Sequence, residues 1–166
     1  MTIPNVRAAE IVDVPELVAL MTEFYAESGF SLPSARATET FEQLIRDPRL
    51  GRVWLLGLDR QLAGYVVLTV AFSMECGGLR GFVDDLFVRP PYRGRGLGTL
   101  ALAEVRRTCL ALGVRALLAE VGLADEAAQR LYRRSGLAGT GNMLMAQPLT
   151  SPVHAAQPAP AGPPQS

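Results

Sequence analysis

The sequence predicts a mixed α/β domain, because segments with strand and helix patterns alternate along most of the chain. In order, these segments give β-α-α-β-β-β-α-β-α-β. Consecutive strand segments favour antiparallel hairpins, whereas the later strand–helix–strand crossover requires a parallel pair. We therefore expect one mixed α/β domain with one parallel pair of strands.

A helix start is the clearest local signal in the N-terminal half. Asp13 has the properties of an N-cap, and Glu16 follows three residues later. Leu17, Leu20 and Met21 then recur at helical spacing and should face the core. The other elements expected in this half are strands at 6–8, 52–58 and 62–74, a helix at 38–46 and a hairpin turn at 59–61.

Glycines mark the helix ends in the C-terminal half. Gly113 and Gly136 each follow a segment with a helical pattern, where glycine commonly forms the C-terminal cap. The elements expected here are a strand at 81–88, a helix that ends near residue 112, a strand at 116–121, a helix at 125–135 and a last strand at 143–147.

The composition changes near the C-terminus. Six of the 12 prolines fall in the last 19 residues, among Ala, Gln, Gly and Ser. We therefore assign 1–149 to the folded domain and 150–166 to a disordered tail. His154, the only histidine, lies in this tail, so the sequence gives no support to catalysis by histidine.

Length and charge exclude several classes of protein. The chain has 166 residues, of which 49% are hydrophobic and 19% charged, enough for one domain with a buried core. Its formal net charge is zero, which gives no support to nucleic-acid binding through a basic surface. No apolar run has the length of a membrane span, and no signal segment opens the chain. We expect a cytoplasmic protein with neither membrane nor nucleic acid as a partner.

The two cysteines do not form a recognisable site. Cys76 and Cys109 lie in different predicted elements and lack the spacing of metal ligands. We expect both thiols to be reduced and no metal to be bound.

A glycine-rich loop between a predicted strand and a predicted helix is the most informative feature. It reads Arg93-Gly94-Arg95-Gly96-Leu97-Gly98. Glycine lets the backbone approach a ligand closely, and the first N–H groups of a helix have no intrahelical acceptor. Together with the positive end of the helix dipole and nearby arginines, these donors favour a pyrophosphate. Asp84 and Asp85, in the strand before the loop, would place acid–base groups beside that phosphate site.

Two motifs make the chain resemble the GNAT superfamily, the acetyl-CoA-dependent N-acetyltransferases. The first family motif is an apolar strand, a proline turn and Arg/Gln-x-x-Gly-x-Gly/Ala, which Arg93, Gly96 and Gly98 match. The second runs here from Asp125 to Leu137 and contains Leu-Tyr-x-x-x-Gly, with Asp where the family often has Asn and Leu where it usually has an aromatic residue. The resemblance extends from about residue 5 to residue 149.

The resemblance implies a GNAT-like fold, which is a central, mixed, mostly antiparallel sheet of six to seven strands with helices on both faces. It also implies acetyl-CoA as co-substrate. It implies that backbone groups of the strand bind the acyl group and pantetheine arm, with an N–H of Leu86 or Phe87 as donor to the oxyanion. The pyrophosphate would bind the N–H groups from Arg93 to Thr99. The cofactor-binding residues expected on this basis are Leu86, Phe87, Val88, Arg93, Gly94, Arg95, Gly96, Leu97, Gly98, Thr99, Asp125 and Ala128.

Acetyl transfer to an amine requires a base, since an alkylammonium has a pKa of about 10 and is not a nucleophile at neutral pH. Asp84 is our first candidate, acting through a water, because it occupies the position of a family glutamate. Strand alternation would place Asp85 on the opposite face. Asp85 and Glu75 remain alternatives, and Glu120 is a further one. The alternative reading of all these carboxylates is that they form structural pairs with arginines.

The leaving thiolate requires a proton, for which Tyr132 is the candidate, since it stands where the family's acidic tyrosine lies. The other interpretation of Tyr132 is a core residue with its hydroxyl at the rim. Aromatic rings with an acidic residue suit a cationic amine, and the candidates for that wall are Phe24, Tyr25, Glu27 and Phe30. The same four residues are equally compatible with a core and a solvated carboxylate.

The function expected from this reading is direct transfer of an acetyl group from acetyl-CoA to a primary amine, either a small molecule or a peptide or protein. The sequence shows no Ser-His or Cys-His pair for a covalent intermediate. Two alternatives stay open: a degenerate acyl-CoA-binding sensor, and a dinucleotide-binding domain, whose glycine loop would follow the first strand. The resemblance makes a homodimer plausible.

Overall fold

In the computed structural model, which describes residues 3–150, five strands form one sheet. They are, in chain order and in order across the sheet, β1 (Pro4–Ala8), β2 (Gly51–Leu58), β3 (Gln61–Ser73), β4 (Gly78–Val88) and β5 (Ala116–Ala119). The first four strands pair antiparallel, and β5 pairs parallel to β4. The crossover between these last two strands contains a helix, as a parallel connection requires.

Helices cover both faces of the sheet. They are α1 (Val14–Glu27), α2 (Ser34–Arg46), α3 (Leu97–Ala111) and α4 (Glu126–Arg134), with 3-10 turns at Ile11–Asp13 and Pro90–Tyr92. One core cluster joins α1 and α2 to the sheet. The other joins α3 to the opposite face, includes the single tryptophan, Trp54, and has Leu131 and Tyr132 of α4 packed against it. The mixed α/β class with helices on both faces is confirmed.

The last predicted strand, 143–147, is wrong, and the sheet has five strands instead of six to seven in the part of the chain that is described. Residues 142–148 have no regular secondary structure, and Met143 and Met145 are 85% and 86% exposed. A short apolar run forms a strand only where a partner can pair with its backbone and bury its side chains. The apolar run pairs with none of the five strands within residues 3–150. Of the predicted tail, 151–166 lies outside the described residues.

The role predicted for Asp13 also needs correction. Its side chain does not cap α1. It accepts two hydrogen bonds from the Arg7 guanidinium, at 2.6 and 2.7 Å, and one from the Glu10 N–H at 2.8 Å. The hydrogen bond with Arg7 lowers the pKa of Asp13. Tertiary pairing with β1 therefore replaces the local cap that the sequence pattern indicated.

A β-bulge in β4 decides which side chains face the two cores. Val67 of β3 pairs with Asp85 and Leu68 with Val83, so Asp84 is an extra residue in the ladder. Before the bulge, Val83 packs in the α3-side cluster; after it, Phe87 packs in the α1–α2 cluster. The extra residue thus shifts the facing of the strand by one position, as a bulge does.

Gly64 allows β3 to approach β4 closely at the end of the same ladder. A Cβ at Gly64 would lie 2.0 Å from the carbonyl oxygen of Phe87. We expect Gly64→Ala to lower the free energy of unfolding by about 1–3 kcal/mol, because the backbone must move to relieve the overlap. Urea unfolding measures this change. Gly139→Ala is the matched control, since a Cβ there meets nothing within 4 Å, and equal stability of the two variants would contradict the predicted overlap.

Candidate active site

The last residues of β4 have one edge that β5 does not cover. Pairing with β5 ends at Val83. On the other side, the Arg89 N–H donates to the Ala63 carbonyl at 2.8 Å. Hydrogen-bonded pairs alternate along an antiparallel ladder, so Tyr65 with Phe87 is the next hydrogen-bonded pair and Val66 with Leu86 is not one. Leu86 and Val88 therefore direct their N–H and C=O groups to the uncovered edge. Of the two oxyanion donors left open by the sequence, Leu86 faces this edge and Phe87 faces β3.

The glycine loop brings the start of α3 to the same edge. Gly94 and Gly96 have φ values of 74° and 82°, in the left-handed region that favours glycine. A Cβ at either position would meet nothing within 4 Å. Leu97 and Thr99 lie in the first turn of α3, whose N–H groups have no intrahelical acceptor. The loop thus presents backbone donors and the positive end of the helix dipole to open space.

Gly98 is glycine for a different reason. A Cβ there would lie 2.7 Å from Cδ2 of Leu131. The absent side chain therefore lets α4 pack closely against the first turn of α3. This contact places α4, which also carries Tyr132, against the start of α3.

The loop arginines differ in their surroundings. Arg93 donates from Nε to the Val88 carbonyl at 2.8 Å and from Nη2 to the Glu27 carboxylate at 2.8 Å. Its backbone N–H donates to the Pro90 carbonyl at 3.2 Å. Arg95 is exposed. The loop donors that face open space therefore begin after Arg93.

Asp85 is a buried carboxylate held by tyrosine hydroxyls. It is 7% exposed, and it accepts hydrogen bonds from the hydroxyls of Tyr65 at 2.8 Å and Tyr25 at 3.3 Å. The pKa of Asp85 is raised to about 6: burial raises it most and the charge of Asp84 also raises it, whereas the hydrogen bonds from Tyr65 and Tyr25 lower it. The carboxylate therefore remains charged at neutral pH because its two donors offset part of the desolvation cost.

Asp84 lies at the bulge, partly exposed and next to Asp85. Partial burial raises the pKa of its carboxyl. Its charge contributes to the raised pKa values of Asp85, Tyr25 and Tyr65, all of which belong to the α1–α2 side. The bulge interrupts the strand alternation on which the expected separation of Asp84 from Asp85 was based. The alternative carboxylates, Glu75 and Glu120, are exposed in the β3–β4 turn and after β5.

Tyr132 projects from α4 with its ring against the α3-side core. Burial raises the pKa of Tyr132 to about 12, with smaller contributions from the charges of Asp85 and Asp125. The phenol is therefore protonated at neutral pH, which is the form that can donate a proton.

Asp125 and Ala128, both predicted to contact the cofactor, contact each other. Asp125 is the N-cap of α4, and its Oδ1 accepts a hydrogen bond from the Ala128 N–H at 2.9 Å. Aspartate caps a helix as well as asparagine does. The departure from the family's usual asparagine thus preserves the start of α4.

The aromatic residues predicted to form the acceptor wall lie on α1 and after it. Phe24 stacks on Phe87 with a centroid distance of 5.3 Å, and Tyr25 meets Phe30 edge to face at 6.5 Å. Glu27, at the end of α1, pairs with Arg93. These contacts connect the wall both to Asp85, through Tyr25, and to the glycine loop.

Sequence reasoning missed Tyr65. It is fully buried in β3, and its hydroxyl donates the shorter of the two hydrogen bonds to Asp85. A tyrosine in an otherwise apolar buried strand requires a hydrogen-bond partner. That requirement, combined with the buried Asp85 in the neighbouring strand, is the signal that could have linked the two residues.

The Acetyltransferase (GNAT) family profile matches residues 16–137, a span that contains both motifs, the bulge and Tyr132. The chain belongs to the GNAT acetyltransferase family. The fold agrees with this membership, since solved acetyltransferase structures share it.

Three similar proteins illustrate the range of this GNAT chain's relatives. An integron cassette protein from the mobile metagenome of Cole Harbour Salt Marsh is 51% identical, with a TM-score of 0.81 over 89% of this chain and 92% of that one. Aminoglycoside N-acetyltransferase AAC(6')-Iy in complex with CoA has a TM-score of 0.78 over 90% of this chain and 97% of that one, and at 14% identity it shows the fold alone.

The third is a curated relative, an IAA acetyltransferase from Azospirillum brasilense. It is 34% identical over 79 residues, which are 48% of this chain and 52% of that protein. The GNAT chain thus spans about half the length of the curated relative it matches.

Residues 3–150 contain neither a bilayer-spanning helix nor a cluster of side chains suited to a metal ion. None of the helices there has both the length and the apolar character of a bilayer-spanning segment. No cluster of three or more His, Cys, Asp or Glu side chains suited to a metal ion occurs in that range either.

The raised pKa of Asp85 predicts a pH-dependent stability. The folded state binds this proton more tightly than the unfolded state, so the free energy of unfolding should fall as pH rises from about 4 to about 6. Asp85→Asn removes the titration, and the difference between wild type and variant should change by about 3 kcal/mol at most across that range. Urea unfolding from pH 4 to 8 measures it.

Tyr65→Phe is the companion variant to Asp85→Asn. Loss of its hydroxyl donor should raise the pKa of Asp85 and move the midpoint of the pH dependence upward. A wild-type curve that runs parallel to the Asp85→Asn curve over the whole range would contradict the raised pKa.

Proposed function

We propose that this protein is an acetyl-CoA-dependent N-acetyltransferase that transfers the acetyl group directly to a primary amine in a ternary complex. One observation supports it above the others: the uncovered edge of β4 joins the start of α3 to the Asp84–Asp85 pair. Acetyl-CoA has a pyrophosphate, an amide-bearing arm and a reacting carbonyl in this order. The start of α3, the uncovered edge of β4 and the Asp84–Asp85 pair would serve these three parts in the same order.

The cofactor would lie along this edge. The pyrophosphate would accept hydrogen bonds from the backbone between Gly94 and Thr99, at the positive end of α3. The pantetheine amides would pair with the Leu86 carbonyl and with the Val88 N–H, since the Val88 carbonyl already accepts from Arg93. The pantetheine arm would then lie beside β4 as an added strand does, along the part of β4 that β5 does not cover.

Asp84 is the better placed base of the pair. Asp85 is buried and its oxygens already accept two tyrosine hydroxyls. Asp84 is partly exposed and its carboxyl has a raised pKa, so it is both reachable and more basic than an ordinary aspartate. The role of Asp85 would be to keep a second negative charge beside an incoming ammonium.

The reaction then proceeds in one sequence of bond changes. The ammonium gives a proton to Asp84 through a water, and the free nitrogen attacks the acetyl carbonyl carbon. The Leu86 N–H would donate to the developing oxyanion. When the carbon–sulfur bond breaks, the thiolate takes the proton of Tyr132. The nitrogen, now part of the amide, loses its second proton to solvent, and solvent returns a proton to the Tyr132 phenolate, whose pKa is raised. Asp84 then releases the proton that it took from the ammonium to solvent.

The acceptor is proposed at the level of a class. The relatives carry the names of aminoglycoside and IAA acetyltransferases, which differ in acceptor. Aromatic rings beside two aspartates suit a cationic primary amine, on a small molecule or on a peptide or protein. The domain limits at 1–149, the cytoplasmic location and the homodimer stay predictions from the sequence.

Cofactor binding is tested at Gly96 with two variants of equal shape. Asn and Asp both tolerate the left-handed conformation, but only Gly96→Asp places a negative charge at the proposed pyrophosphate site. We expect Gly96→Asp to bind acetyl-CoA at least about tenfold more weakly than Gly96→Asn, a difference of ~1.4 kcal/mol. Calorimetry measures both affinities. Equal affinities would place the pyrophosphate elsewhere.

Turnover is tested at the two proposed catalytic residues. Asp84→Asn and Tyr132→Phe should bind acetyl-CoA as wild type does, and each should lower kcat by about 10²-fold or more, as loss of a general base or acid does. Thiol release with a panel of primary amines measures kcat. The matched controls are Glu75→Gln and Tyr92→Phe, which should leave kcat unchanged.

The outcomes of this turnover assay are separable. A normal kcat in Asp84→Asn would transfer the role of base to another carboxylate, with Asp85 next. A normal kcat in Tyr132→Phe would remove that tyrosine from the mechanism. Wild-type binding of acetyl-CoA without thiol release for any amine in the panel would favour the acyl-CoA sensor.

A further inference from the structure

Two ion pairs tie α1 to the segment between β4 and α3. Glu23 and Glu27 are one helical turn apart and therefore lie on the same face of α1. Arg89 donates to both oxygens of Glu23, at 2.7 and 2.8 Å, and Arg93 donates to both oxygens of Glu27, at 2.8 Å. The arginines flank the 3-10 turn at Pro90–Tyr92. The turn that leads into the glycine loop is thus held to α1 at both of its ends.

Each arginine also binds a backbone carbonyl of the sheet. Arg89 Nη1 donates to Leu62 at 2.9 Å, and Arg93 Nε donates to Val88 at 2.8 Å. One guanidinium therefore connects strand, loop and helix simultaneously, which its fork of donors allows. Such a link couples movements of the three elements, because any one of them can move only by breaking a charge-assisted hydrogen bond.

The Arg93 link continues through aromatic contacts toward the carboxylates. Its guanidinium carbon lies 5.9 Å from the centroid of the Phe87 ring, and Phe87 stacks on Phe24 of α1. Tyr25, next to Phe24, donates to Asp85. The Arg93–Glu27 pair thus lies between two parts of the site. On one side is the glycine loop, and on the other are the end of α1 and residues 28–33, which connect α1 to α2.

We infer that Arg93 and Glu27 are a positioning pair that transmits cofactor binding to the acceptor side. Acetyl-CoA at the glycine loop would fix Arg93, and Arg93 would hold Glu27 and thereby the end of α1 and residues 28–33. The inference rests on the proposed function in assigning the cofactor to the loop. In this inference the Arg93 side chain links the acetyl-CoA site to the acceptor site by binding Glu27. The phosphates are bound by the backbone N–H groups that follow Arg93.

The competing role for Arg93 is that its side chain binds the pyrophosphate. That role requires the guanidinium to leave Glu27 and the Val88 carbonyl. The Glu27 carboxylate would then lose its cation beside a newly bound dianion, which is electrostatically unfavourable. Arg95 is exposed two residues further along and can supply a cation at no such cost.

Charge reversal separates the two roles. The variants are Arg93→Glu, Glu27→Arg and the double variant that exchanges the charges, each in the full chain. CoA is the probe, its affinity is measured by calorimetry, and amide hydrogen exchange of 24–33 is measured with and without saturating CoA. Arg95→Glu is the matched control for a changed charge in the same loop.

For a positioning pair, CoA slows exchange of 24–33 in the wild type, and this protection is lost in both single variants and returns in the double variant. CoA affinity should fall about two- to fivefold in the single variants, as expected for a partly exposed pair, and recover in the double variant. Arg95→Glu should weaken CoA binding and keep the protection at saturation.

Three results would overturn the inference, and one of them also concerns the function. Loss of CoA binding in Arg93→Glu that the double variant does not restore would make Arg93 a phosphate ligand. Wild-type CoA binding without protection of 24–33 would exclude the coupling and leave the proposed function intact. Absence of CoA binding by the wild type would overturn both.

Discussion

The β-bulge at Asp84 is the constraint on which the rest of the site depends. Side chains of a regular strand alternate, so without an extra residue position 85 would face the same core as Val83. The bulge places Asp85 and Phe87 on the α1–α2 side instead. It also brings two consecutive carboxylates to the point where β5 stops pairing. The extra residue thereby directs Asp85 toward the hydroxyls of Tyr25 and Tyr65. It also directs Phe87 onto the ring of Phe24 in α1.

Burial of a carboxylate next to another requires compensation, and the neighbouring helix and strand supply it. Tyr25 from α1 and Tyr65 from β3 donate to Asp85 from two directions, so the charge is held without a cation. A cation at this place would neutralise the site toward the cationic amine that we propose as the acceptor. Hydroxyl donors stabilise the carboxylate while preserving its net negative potential, which is the property that a site for cationic amines requires.

The sequence predicted the elements better than their contacts. The glycine loop, the helix after it and the start of α4 follow from local rules of turn and cap formation, and these were found at the predicted residues within a few positions. The bulge could not be predicted, because Asp84 and Asp85 look the same in a regular strand as in an irregular one. Its existence follows from pairing with β3, which is a tertiary interaction.

The same distinction explains what was missed in the site and the error at the C-terminus. The Arg93–Glu27 pair was missed because the two residues lie 66 positions apart in the chain, and no local pattern joins them. Tyr65 was missed because its partner is in the next strand. The segment 143–147 has the composition of a strand, but a strand also needs an edge to pair with, which composition does not encode.

The placement of Trp54 has a practical consequence for spectroscopy. It is the chain's single tryptophan, 4% exposed, and belongs to the cluster on the α3 side of the sheet. Intrinsic emission excited at the red edge of protein absorption therefore originates from one layer of the molecule. The first residue of α3, Leu97, belongs to the same cluster. A loosening confined to the opposite layer, around α1 and α2, would leave that emission unchanged, so the chain contains its own optical label for one of its two cores.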